Sequence, residues 1–379
     1  MTGFVLLRVR AHRLLLAAAL LAVLLTTSVL SALTAFSGSI GDAALRHTLQ
    51  GRDAAAAALV VTAQVPASDR VAANEAAAEA ARDSFDGLPV TVRKLERSGS
   101  YALPRALQPP AARAGDPDLT HFATLDRSRV RLVTGSWPAA PDPSDPVQVA
   151  FPEEAATELG LKAGTRLTLL DRLGDKPLTI HVTGVYRPAD LTDPYWKLDT
   201  LGGQGVQTVT FTTYGPLLTD PALFDSGRLQ AGDLSWLAAA DFRDVTTGRI
   251  DALRAAAERG PKSLAAQPVF ADGVTARTTL PSVLDRTERA LLVSRSTLLI
   301  VAVQLVLLAG YALLLVARLL STERTGESEL LRARGGSRRR IAWLATVEAL
   351  LLALPAALCA PLLAGPLTRL LVEHGGLAD

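Results

Sequence analysis

Glu348 poses the sharpest chemical question in this chain. It lies seven residues into the apolar run Ile341–Leu367 and is its one charged residue. A carboxylate at such a position costs on the order of 2–3 kcal/mol on membrane-insertion scales, so it must face a partner helix or water rather than lipid. Two roles suit it: an intramembrane functional group, or a structural carboxylate bonded to a neighbouring helix or to Arg338–Arg340. Upstream, Glu323, Arg324, Glu327, Glu329, Arg332 and Arg334 lie in a stretch that reads as a short charged helix ending at Gly335, a residue that can supply a left-handed helix cap. Such a charged, locally rigid knob suits contact with a protein surface; the plainer reading is a basic loop that only fixes orientation.

The rest of the chain offers little catalytic chemistry. His12, His47, His121, His181 and His374 are dispersed, with no HExxH pair, and the single cysteine, Cys359, excludes cysteine-based zinc sites and any intrachain disulfide. There is no GxSxG elbow and no GxxxxGK[ST] loop. The acid pairs Glu153 with Glu154 and Asp116 with Asp118 stand beside proline-rich segments and read as solvated surface. The expectation is a non-catalytic chain with no cofactor and no metal.

Three apolar runs position these residues: Leu14–Phe36, Ser296–Ala317 and Ile341–Leu367. Each is long enough, at about 1.5 Å of rise per residue, to cross a hydrocarbon core of about 30 Å as a helix. A helix is the state in which a separated span satisfies its own amides. Arg8, Arg10 and Arg13 precede the first run, and the link 318–340 carries seven Arg against three Glu, so both belong in the cytoplasm. Between them, residues 37–295 hold 28 Lys and Arg against 31 Asp and Glu, the mixed charge of a translocated, solvated domain.

These counts set the expected organisation: a cytoplasmic N-terminus at 1–13, spans at 14–36, 296–317 and 341–367, an extracytoplasmic domain at 37–295, a cytoplasmic coupling link at 318–340 and an extracytoplasmic tail at 368–379. The first run continues past Leu25 without a small-x-small cleavage site and reads as an uncleaved anchor. Thr26, Thr27, Ser28, Ser31 and Thr34 suit packing against other helices. With arginines gathered at membrane flanks and 5% aromatics, nothing supports a nucleic-acid partner.

Along the outer domain, helix and strand patterns alternate. Asp42–Gln50 extends the first helix; Ala57–Val65 reads as strand, Ser68–Phe85 as an Ala-rich helix and Val90–Leu95 as strand. A related order returns late, with Leu234–Phe242 as strand, Thr247–Arg259 as helix stopped at Gly260-Pro261, and Ala266–Phe270 as strand. Two halves of one α+β subdomain thus flank a β-rich insert at about 119–215. Within it Val147–Phe151, Arg166–Leu170, Leu178–Tyr186 and Val206–Thr213 read as strands and Pro152–Leu159 as a short helix.

Here the residues resemble a family. Glu323–Glu348, with Leu330-Leu331-Arg332-Ala333-Arg334-Gly335-Gly336 and a Glu a few residues into the next span, looks like the start of an FtsX-like (MacB-like) ABC-transporter permease domain. In the insert, Leu132-x-x-Gly135-x-x-Pro138, Val147–Ala150, Leu159-Gly160-Leu161-x-x-Gly164 and Val182-x-Gly184-Val185 resemble the family's extracytoplasmic domain. The resemblance implies an α-helical membrane protein of a bacterial plasma membrane. It has a large α+β extracytoplasmic domain of the MacB periplasmic-core type, and at least a fourth span beyond the three carried here. It also implies that the link docks on a separate cytoplasmic ABC ATPase. The outer domain then drives lipid, lipoprotein or peptide movement or regulates an outside partner, with membrane lipid and a second copy or second permease half as further partners. The alternative is a membrane-anchored sensor or binding module without transport.

Overall fold

The computed structural model describes residues 13–323, apart from 111–112, 143–144, 175, 231 and 272. Two compact units emerge: Leu45–Thr287, and the segments before and after it.

Leu45–Thr287 begins in the last turns of α1 (Arg13–Gln50) and proceeds through β1 (Leu59–Gln64), α2 (Arg70–Ser84) and β2 (Val90–Arg97). Then follow β3 (Tyr101–Ala102), β4 (Leu119–Thr124), β5 (Val130–Gly135), β6 (Val147–Pro152), α3 (Glu153–Glu158), β7 (Arg166–Asp171), β8 (Pro177–Pro188), β9 (Val206–Thr208) and β10 (Thr212–Leu218). The unit closes with β11 (Asp233–Ala240), α4 (Ile250–Ala265), β12 (Val274–Thr278) and the first turns of α5 (Leu280–Glu323).

The first and last strands form one open sheet, in the order β12–β1–β11–β2, antiparallel throughout. Strands from both ends of the unit therefore interleave, and everything between β2 and β11 is inserted. α2 and α4 pack on each other through small residues. Ala73, Ala76, Ala77, Ala80, Ala81 and Ser84 recur at helical spacing on the buried face of α2, opposite Ile250, Leu253, Ala256, Ala257, Gly260 and Leu264 of α4.

The inserted strands close on themselves. β4 pairs β3, β3 pairs β7, β7 pairs β8, β8 pairs β6, β6 pairs β10, and β10 returns to β4, giving a six-stranded barrel. Closure leaves no free edge around that ring and points alternate side chains inward. Tyr101, Phe122, Val149, Phe151, Leu169, Ile180, Val182 and Leu217 fill the interior, each buried. β4 is shared: its first residues belong to the barrel, while Ala123 and Thr124 pair with Arg97 and Glu96 of β2. Where β2 turns into β3, Ser98 mends the ladder, its backbone N–H reaching Phe122 O at 2.9 Å and its Oγ accepting Phe122 N–H at 2.9 Å.

Two glycines from the insert motifs meet across one ladder. Gly135 of β5 pairs Gly184 of β8, beside a register shift between Leu132 and Thr134. Gly135 has φ +83°, and a Cβ there would collide with Thr183 O. Only glycine satisfies both the turn and the close approach.

Three local expectations fail. Gly260-Pro261 does not stop a helix: α4 runs through it to Ala265. Gly260 is where the helix meets Ser84, and a Cβ there would overlap Ser84 Oγ, so the glycine serves helix packing and tertiary burial overrides the local breaker. Ala266–Phe270 is no strand; Pro268–Phe270 is a helical turn that sets Phe270 edge-on to Trp236 at 6.0 Å, and the strand falls at β12 instead. Val206–Thr213 is a hairpin, β9 into β10, with Val209 N–H bonded to Phe211 O across the tip. The Gly260→Val variant is expected to lose about 2 kcal/mol or more of stability in the large unit, measured by pulse proteolysis of the full chain in detergent, whereas Gly248→Ala, whose added Cβ would make only an ordinary contact with Thr246 Oγ1 at 3.9 Å, changes it by under about 1 kcal/mol.

Candidate functional site

The large unit is entered and left at one place. α1 ends at Gln50, a helical turn at Ala54–Ala57 follows, and β1 begins at Leu59; β12 ends at Thr278 and α5 begins two residues on. Because β1 and β12 are neighbours, Leu59 opposing Thr278, both long helices are rooted on adjacent strands at one end of the sheet. The roots are bonded to each other. Thr279 donates through its N–H and its Oγ to Ala56 O, the latter at 2.6 Å, and Arg286 lies 3.6 Å from Asp53. Leu45, Leu49, Leu280, Val283 and Leu284 are all buried there, and burying each such side chain contributes about 1.5–3 kcal/mol.

A second concentration of polar groups lies where the open sheet meets the barrel. The segment Pro194–Leu198, after β8, inserts Tyr195 and Trp196 beside β2 and β11. Asp193 starts it by accepting Tyr195 N–H at 2.9 Å and also holds Arg129 at 2.5 Å. Tyr195 Oη accepts Asp126 N–H at 2.9 Å, Trp196 Nε1 donates to Asp190 O at 2.8 Å, and Lys197 Nζ reaches Ala55 O in the helix root. Arg97 of β2 pairs with Asp233 of β11 and donates to Thr200 Oγ1 at 3.0 Å. Beside this seam Leu191, Thr192, Trp196, Lys197, Thr200 and Gln207 line a shallow groove of about 490 Å³.

His121 and Asp199 are the buried ionisable pair of the seam. His121 Nε2 is 4.0 Å from Asp199 Oδ1, beyond hydrogen-bond reach, and has no bonding partner among the described residues. Burial, helped by the charge of Arg97, pulls the imidazole down to about 3, so it is neutral at any ordinary pH and the two groups form no ion pair. Burial also raises the Asp199 carboxyl, although it accepts Leu201 N–H at 3.2 Å and Gly203 N–H at 2.8 Å. A histidine locked neutral in this way is poorly placed for proton transfer.

Of the residues singled out in the sequence, Glu323 closes α5, and Arg324, Glu327, Glu329, Arg332, Arg334, Gly335 and Glu348 lie outside the described residues, as do His12 and His374. Glu153 and Glu154 open α3, where carboxylates favour the N-terminal end of a helix. His47 and His181 are far apart in the chain from His121, and no group of three or more potential metal ligands occurs among the described residues. The seam residues went unnoticed because nothing in their spacing marks them; the signal was the aspartate-bounded run Asp193-Pro194-Tyr195-Trp196-Lys197-Leu198-Asp199, two bulky aromatics inside a turn.

Among the described residues one segment, Leu280–Ala312, is long and apolar enough to cross a membrane, with mean hydropathy 2.2 and no part of the apolar window buried in protein. It runs into the region that decides the family. The model for the FtsX-like permease C-terminal domain matches residues 299–377, from within α5 through the charged link and the third apolar run. Residues 299–377 are similar to the FtsX-like permease C-terminal domain.

That family implies a bacterial cell-membrane protein with a role of the ABC-transporter type. Members are generally non-catalytic themselves and work with a cytoplasmic ATPase in an oligomeric assembly. No curated protein matches the chain. Sixteen solved chains do; one, described as a domain of a permease protein from Porphyromonas gingivalis, is 12% identical, with the match covering 59% of this chain and 87% of that one at a TM-score of 0.27.

The His121 environment has a measurable cost. Unfolded, the imidazole takes up a proton near pH 6.5; folded, it does so only near 3. Its contribution to stability is complete above pH 6.5 and is lost progressively as pH falls toward 3. Between pH 7 and pH 5 the large unit is expected to lose about 2 kcal/mol on this account. The His121→Leu variant, similar in volume and unable to titrate, is expected to lack that loss when unfolding is followed at both pH values; Asp199 is common to both proteins. An unchanged acid dependence would mean that His121 is solvated in the folded state.

Proposed function

We propose that this chain is the membrane subunit of an ABC transporter of the FtsX/MacB type, converting ATP hydrolysis on a separate cytoplasmic ATPase into movement of an extracytoplasmic domain. The observation that carries the reading is the family match at 299–377, which takes in the charged link between two apolar runs. In this reading α1, α5 and the run Ile341–Leu367 span the membrane, 37–295 lies outside as a MacB-type core, and 318–340 lies in the cytoplasm.

The work is mechanical. Glu323, Arg324, Glu327, Glu329, Arg332, Arg334 and Gly335 form the surface that the ATPase pushes. Glu348 keeps the adjoining helix registered in the bundle, where an unpaired carboxylate would be costly. Because α5 is one unbroken helix from Leu280 to Glu323, displacement of its cytoplasmic end is delivered to β12 and, through the ladder, to β1. The outer domain then exports or extracts lipid, lipoprotein or peptide, or regulates a partner outside. A homodimer or a pair with a second permease half completes the assembly.

Affinity purification of the chain from its own membranes is expected to recover a Walker-motif ATPase, and Glu327→Ala combined with Arg332→Ala is expected to reduce that recovery at least ten-fold. Recovery unaffected by the double substitution would remove the link from the ATPase contact. Glu348→Gln is expected to leave membrane insertion unchanged while lowering ATP-coupled activity. Equal activity in that variant would make the residue structural.

A further inference from the structure

One face of α5 carries polar side chains at a seven-residue period. Within the apolar stretch that ends at Ala317, Thr297, Gln304 and Tyr311 follow one another at that spacing. Seven residues are close to two helical turns, so all three share a face. All three are exposed, Tyr311 by 62%. The half-buried positions, Leu298, Ala302, Leu305, Ala309 and Ala312, fall on another side of the helix. Thr297 satisfies its own hydroxyl by donating to Val293 O at 3.1 Å. No described residue bonds the amide of Gln304 or the phenol of Tyr311. In lipid both groups require a partner from another helix.

We infer that this face docks the chain's own segment Ile341–Leu367, with the Tyr311 hydroxyl donating a hydrogen bond to the Glu348 carboxylate. The inference rests on the membrane topology proposed above. Three observations select this occupant. The segment follows α5 in the chain after a short charged link, and on the proposed topology it returns through the membrane antiparallel to α5. Depth then matches: Tyr311 is seven residues inside Arg318 and Glu348 eight residues inside Arg340, about 10 and 12 Å from the same boundary. Chemistry matches as well, since Glu348 is an acceptor without a place in lipid and Tyr311 is a donor without a partner among the described residues.

The test is disulfide mapping of the full chain in native membranes, with Cys359→Ser as background. Under mild oxidation the pair Tyr311→Cys with Glu348→Cys is expected to lose thiol labelling at least five-fold more than Ala309→Cys with Glu348→Cys, without a dimer band. Ala309 lies at nearly the same depth on the half-buried face. Equal loss in the two pairs overturns the docking, and a crosslinked dimer replaces the segment by a second copy. Labelling of Arg318→Cys and Arg340→Cys with an impermeant maleimide reads the topology separately. Access from outside would overturn the topology, whatever the disulfide result. A double-mutant cycle in detergent guards against a cysteine pair that fails to insert: Tyr311→Phe is expected to lower the melting temperature in the wild-type background but not in Glu348→Leu. An equal drop in both overturns the bond.

Discussion

The pairing of β1 with β12 is the constraint on which the rest of the large unit depends. β1 is flanked by β11 on one side and β12 on the other, so its five-residue register with β12 closes the sheet and seats both long helices at once. Thr279 bonding Ala56 and Arg286 near Asp53 fix the spacing of those helices where they enter. With Leu280, Val283 and Leu284 buried against the same place, neither root can shift without breaking ladder hydrogen bonds or exposing apolar surface. That stiffness suits the proposed role, in which the helices carry force to the outer domain.

The barrel is held to this sheet by fewer and more polar ties. β4 lends two residues to β2, Ser98 bridges the kink, and Tyr195 and Trp196 wedge between the halves. Arg70 adds a charged strap, reaching Glu96 of β2 at 2.7 Å and Asp225 beyond β10 at 2.9 Å. Burial raises the Glu96 carboxyl while the Arg70 charge opposes that rise, the mark of an ion pair only partly shielded from water. The seam therefore joins two well-packed bodies through bonds that are specific rather than numerous. Lys197 bonded to Ala55 O carries it as far as the helix root, so a displacement there has a direct route to the barrel.

Local physics made much of the open sheet legible. The alternation in Leu59–Gln64, the Ala face of α2 and the apolar spacing of Ile250, Leu253, Ala257 and Leu264 each follow from one period over a short stretch. Pro261 and Phe270 misled because their roles are tertiary: one follows a glycine needed for helix contact, the other belongs to an aromatic pair. Barrel closure was invisible in the same way. It depends on a two-residue strand, β3, and on a single register pair between Leu218 and Ala150, neither of which leaves a local pattern. His121 and Asp199 meet only through that closure. Glu323–Gly335 and Glu348 were singled out on topology alone, since charge beside apolar runs is readable without a fold, and they fall within the stretch that the family model matches.

The central claim is that force entering through the helices reaches the paired strands β1 and β12. Hydrogen exchange followed by mass spectrometry, on the chain co-purified with its ATPase and compared between the nucleotide-free and the ATP-vanadate-trapped states, tests it most directly. The account predicts altered protection in Leu59–Gln64 and Val274–Thr278, with the barrel interior at Val149 and Ile180 unchanged. Identical exchange throughout Leu45–Thr287 in the two states would contradict it.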